Sequence, residues 1–126
     1  MDKFAEYEFE ALAKIIDAEM NITNGKIKES KIDFNESIRL LQEAKTLNDR
    51  WIIRFYLGYA YLKSEAFTEA HSEFELCLKR RGEAFSYDES QRIPLVYYYL
   101  GQVQEALNSP AASESYQHFL EIKKKE

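Results

Sequence analysis

Apolar side chains at Ala5, Phe9, Leu12, Ala13, Ile16 and Met20 recur at gaps of three and four, the signature of one face of a helix over residues 3–20. From Asn21 to Ile32 that period is lost; the stretch holds Asn24-Gly25 and three lysines and reads as a loop that could extend a helix at either end. Asp33 then stands as the cap of a second helix, with Glu36 three residues on and an apolar face of Phe34, Ile38, Leu41 and Ala44. Asp49 is placed to cap a third helix, 50–63, with Ile53, Leu57, Ala60 and Tyr61 as its stripe; Ile52, Phe55, Tyr56 and Tyr59 spread apolar surface to its other faces. A fourth, 67–81, presents Phe67, Ala70, Phe74, Cys77 and Leu78, and Gly82 ends it after a basic last turn. The polar stretch Glu83 to Arg92 reads as a longer loop. Pro94 suits the first turn of a fifth helix, 94–107, and Asn108-Ser109-Pro110 breaks it before a sixth, 111–124. Six helices in three pairs, with no strand between them, predict an all-α fold in a single domain.

The pairs repeat. Tyr56-Leu57-Gly58 leads to Tyr61, Ala70, Phe74 and Cys77; Tyr99-Leu100-Gly101 recurs 43 positions later and leads to Ala112, Tyr116 and Phe119. Phe9, Leu12, Ala13 and Ile16 supply a degenerate third copy, completed by Phe34, Ser37, Leu41 and Ala44. Gly58, Gly101 and Ala13 are the small residues that let each first helix approach its partner, with Ala70, Ala112 and Ser37 answering from the second. On these residues the chain resembles the tetratricopeptide repeat family, whose unit is about 34 residues. The unit at 50–82 matches it best, with Cys77 where alanine is usual and Arg54 where a large aromatic is usual. The unit at 93–125 looks one residue short between its helices, and the unit at 5–47 matches only with an insertion of about twelve residues in its loop. The resemblance implies a solenoid, an α-α superhelix of three antiparallel helix pairs.

Composition narrows the function. Acidic residues number 22 against 17 basic ones, a net charge of −5 that disfavours nucleic acid as a partner. The basic turn Lys79-Arg80-Arg81 and the tail Lys123–Lys125 sit where helix ends favour cations. One cysteine makes no internal disulfide, and no apolar run approaches the ~20 residues of a membrane span, so we expect a cytoplasmic chain without membrane contact. His71 and His118 have no metal-ligand spacing around them, and Cys77 lies on a buried stripe. No phosphate loop or nucleophile elbow is present, and Glu6, Glu8, Glu10 and Asp17 read as a solvated helix face. The expectation is a non-enzymatic protein with no metal and no cofactor.

What remains is a surface. In a solenoid the first helix of each pair lines the concave side. Repeat spacing then nominates Tyr7, Glu10 and Lys14 in the first unit and Ile52, Phe55, Tyr56, Tyr59 and Lys63 in the second. The third contributes Leu95, Tyr98, Tyr99, Gln102 and Glu105. Tyrosine combines contact area, a polar tip and few rotamers, so this set suits a peptide or helix of another protein. In the family resembled, co-chaperones hold acidic peptide ends with a Lys, Asn and Arg clamp; of the corresponding positions here only Lys14 could serve. A second reading is a scaffold that self-associates, as a homodimer for example, through a last helix that still carries Tyr116, Phe119, Leu120 and Ile122.

Overall fold

The computed structural model describes residues 2–126. Helices α1 (Lys3–Thr23) and α2 (Ile27–Leu47) form a first hairpin, and α3 (Trp51–Lys63) and α4 (Phe67–Lys79) a second. A 3-10 turn, Arg81–Glu83, and a four-residue helix, α5 (Tyr87–Ser90), lead to the third hairpin, α6 (Ile93–Ala106) and α7 (Ala112–Lys124). Among the described residues there is no strand. The hairpins stack in chain order, α2 against α3 and α4 against α6, so the chain is an all-α array of three antiparallel helix pairs.

One turn geometry joins each pair. Gly25, Glu65 and Asn108 all have left-handed backbone, with φ of 76°, 65° and 58°. The N–H before each, its own N–H and the one after reach back to three carbonyls of the preceding helix: Met20, Ile22 and Asn21; Ala60, Leu62 and Tyr61; Val103, Glu105 and Gln104. Those bonds satisfy carbonyls that a helix end leaves unpaired.

Counting from that residue gives the true register of the repeat. Seven positions before it stand Ala18, Gly58 and Gly101, all buried; nine positions after it stand Phe34 and Phe74, and eight after it Tyr116. The two glycines do allow a close approach, but to a ring and not to the small residues Ala70 and Ala112. A Cβ on Gly58 would lie 2.7 Å from Phe74, and one on Gly101 2.6 Å from Tyr116. In the first hairpin the matching pair is Ala18 and Phe34, which pack together with Ala60.

Five expectations are thereby corrected. Residues 21–32 are helix on both sides of the three-residue turn Asn24–Lys26, so the extra length of the first unit lies in its two helices and not in its loop. Asp33 sits inside α2, where it accepts a hydrogen bond from Asn21. The buried positions of α1 are Ala11 and Ala18, while Phe9, Ile16 and Met20 are exposed, as is Ala13. Asp49 does not cap α3: its carboxylate accepts from Arg54 at 2.8 and 2.9 Å and from Arg80 at 3.2 Å. Arg54 also reaches Glu73 at 2.8 Å, which ties the start of α3 to the middle of α4. The polar stretch before α6 is more ordered than a loop, since Ser86 caps α5 and buried Glu89 lies 3.6 Å from Arg50.

The core runs through all three hairpins, from Ala11, Leu41 and Ala44 through Ile53, Leu57 and Phe74 to Val96 and Val103. Trp51 is 2% exposed, stacks on Phe55 and donates its indole N–H to the Cys77 carbonyl at 2.9 Å.

Candidate functional site

The first helices of the three pairs share a face. Six positions before the left-handed residue of each turn stand Glu19, Tyr59 and Gln102. The Tyr59 hydroxyl donates to the Glu19 carboxylate, which bridges α1 and α3. Its ring meets Tyr99 edge-on at 5.3 Å, bridging α3 and α6, and the Lys63 ammonium lies 5.5 Å from its centroid. Burial is the main cause of a Tyr59 pKa pushed far above the ordinary phenol range, and the Glu19 hydrogen bond adds to it, so the hydroxyl stays a donor. Gln102 donates to the Tyr98 hydroxyl at 3.3 Å, and Tyr98 rests on Tyr116 and Phe119 of α7.

The nominated residues divide between this face and other places. Tyr59, Lys63, Tyr98 and Gln102 come together on it, and each is at least partly exposed. Ile52 and Phe55, at 7% and 5% exposure, are core and not lining. The Arg92 guanidinium lies over Phe55 and Tyr56, so the segment ahead of α6 closes that end of the face, and Tyr56 is half-buried beneath it. Tyr99 is wedged between units against Phe55, Tyr59 and Phe74, and Leu95 packs on the same core. Tyr7 and Lys14 are off the face, because the first unit is displaced by five residues from the spacing expected. Tyr7 packs at the edge of the core. Lys14 turns toward α2, where it helps line a shallow depression of about 460 Å³ with Asn35, Glu36 and Arg39. Glu19 is the member that the spacing missed; counting back from Asn24-Gly25 would have found it.

Burial pushes the Cys77 thiol up to about 12, so it stays protonated near neutral pH. His71 and His118 lie beside Glu75 and Glu114 on their own helices, and no group of three ligand side chains gathers among the described residues. Another depression, about 530 Å³, lies away from the tyrosine row, lined by Ser72, Glu75, Leu76, Leu78, Lys79 and Leu100. Among the described residues no helix is long and apolar enough to cross a membrane. A scan against protein-family models finds no match, and searches of curated proteins and of solved structures find none either.

Proposed function

We propose that this chain is a non-enzymatic protein-interaction module of the tetratricopeptide type, working in the cytoplasm and holding a peptide or helix of a partner protein along the α1–α3–α6 face. The observation that carries this reading is the row Glu19, Tyr59, Lys63, Tyr98 and Gln102, in which half-exposed aromatic rings alternate with polar tips across three stacked helices. Such rings offer large contact area at small entropic cost, and the tips between them hydrogen-bond a backbone. With Glu19 in place of Lys14, the first helix brings a carboxylate to the row. A clamp for acidic peptide ends is therefore disfavoured, and a partner with a basic or amide group near α1 is favoured.

The test is affinity capture from the source lysate with the intact chain and with a Tyr59→Ala/Tyr98→Ala variant, whose fold is checked by circular dichroism. Specific proteins retained by the native chain and lost from the variant support the reading. Equal retention by both, or none by either, sinks it.

A further inference from the structure

While Phe4, Tyr7 and Ile15 pack on the core, a second apolar stripe of α1 points away from the body. Phe9 is 67% exposed and Ile16 and Met20 are each 59% exposed; with Ala13 they make one stripe along the helix. Counted from the turns, Ala13, Ile16 and Met20 match Ile53, Tyr56 and Ala60 of α3 and Val96, Tyr99 and Val103 of α6. On those two helices this face is where the preceding hairpin packs. Ala60 sits against Ala18 and Phe34, and Tyr99 against Phe55, Tyr59 and Phe74. The α1 stripe is thus the receiving half of a junction that the molecule already forms twice.

The other half stands open at the far end. Phe34 and Phe74 are fully buried because the next hairpin lays Tyr59 and Tyr99 against them. Tyr116, the matching residue of α7, stays partly exposed, and Leu120 one turn on is 58% exposed. Charge favours the pairing of these two faces. In the α4–α6 junction Phe74, nine positions after its turn, meets Tyr99, nine before its own, so the same count would set Lys124, sixteen after, beside Phe9 and Glu10, sixteen and fifteen before.

We propose that α7 of a second copy of this chain seats on the Phe9–Ile16–Met20 stripe of α1, continuing the solenoid head to tail. This surface is distinct from the tyrosine row. The contact is heterologous, so it leaves an open α1 at one end of any pair and an open α7 at the other, and assembly runs past the dimer.

The test is sedimentation velocity of the intact chain from about 10 µM to about 1 mM, beside Ile16→Glu and Leu120→Glu variants. Both substitutions are at exposed sites, and circular dichroism checks that the helices persist. The native chain should climb in mass beyond two copies, and either variant alone should weaken association about tenfold or more, since a carboxylate would be buried in the contact. Mixed, the two variants should form a one-to-one pair and stop there, because one retains a sound α7 and the other a sound α1. Added salt should weaken the native assembly. A native chain that stays monomeric throughout, an assembly indifferent to Leu120→Glu, or a mixture that fails to pair would each overturn the proposal; the second outcome would mean that α1 stripes pair with each other.

Discussion

The first and middle hairpins turn on the same joint and bury an aromatic ring in the same place, yet they look unlike in sequence. In the first, two helices of 21 residues close on Ala18 and Phe34; in the middle one, two of 13 close on Gly58 and Phe74. Helix α3 has neighbours before it, behind it and beside it, so nearly its whole circumference is apolar: Trp51, Ile52, Ile53, Phe55, Leu57 and Ala60 are all buried. Helix α1 lacks one of those neighbours. Its fully buried positions, Ala11 and Ala18, are small; Phe4, Tyr7 and Ile15 pack at the edge of the core, and Phe9, Ile16 and Met20 lie on the uncovered side. Helix position within the stack, more than helix propensity, decides which stripe is inside.

The widest gap between the two hairpins should appear on truncating the ring. Phe74→Ala should cost about 3–5 kcal/mol, because the ring is fully buried and contacts Phe55 and Tyr99. Phe34→Ala should fall toward the lower end of that range, since Phe34 has Tyr59 alone as an aromatic neighbour. Urea midpoints followed by helical circular dichroism measure both, and equal losses would erase the distinction drawn between the two joints.

Next in size is the added methyl. Gly58→Ala drives a Cβ into a ring that is 0% exposed and has no room to yield, an overpacking of about 1–3 kcal/mol that outweighs the ~1 kcal/mol gained by alanine in a helix. Gly101→Ala meets Tyr116, which is partly exposed and can swing aside, so the two terms should nearly cancel. Melting temperatures of the pair would show the middle hairpin alone destabilised.

The turns sharpen the comparison further. Gly25 is at ease in left-handed backbone, Asn108 tolerates it, and Glu65 does not. Glu65→Gly should therefore raise stability by about 1 kcal/mol, its exposed ion pair with Lys31 at 3.8 Å being worth little. Asn108→Gly should change stability by less. Both shifts are readable in urea midpoints.

The smallest effect lies in the middle hairpin's ion network. Hydrogen bonds from Arg54 and then Arg80 hold the Asp49 carboxyl down at about 2, below its ordinary 3.8. A depressed acid contributes stability above its unfolded-state value and loses it as pH falls toward the folded one. Stability should thus drop between pH 4 and 2, and Asp49→Asn should flatten that part of the curve. Asp49 is 43% exposed, so the difference should stay within about 1 kcal/mol.

Much of the fold can be read from the residues, and the reasons for the exceptions are physical. The repeated Tyr-Leu-Gly and the ring sixteen residues after Gly58 announce the second and third hairpins, because glycine facing an aromatic leaves a strong mark. Helix α1 gives no such mark: the positions it buries, Ala11 and Ala18, carry little apolar weight, and the most periodic apolar stripe is the uncovered one. The loop expected over residues 21–32 failed for a related reason, as the ends of α1 and α2 are largely exposed and so lose their apolar period while staying helical. Of the candidate face, Tyr59 and Tyr98 follow from spacing. Glu19 does not, since a carboxylate on a helix reads as solvated until the register sets it opposite a tyrosine.

Trp51 is the only tryptophan in the chain, and it is locked into the middle hairpin by its bond to the Cys77 carbonyl and its stack on Phe55. Its emission therefore watches one third of the array. Fraying of either outer hairpin would lower the helical ellipticity while leaving the indole in its dry pocket, so the two optical signals should separate wherever the ends open first. Coincident curves would mean instead that all three hairpins melt as one cooperative unit.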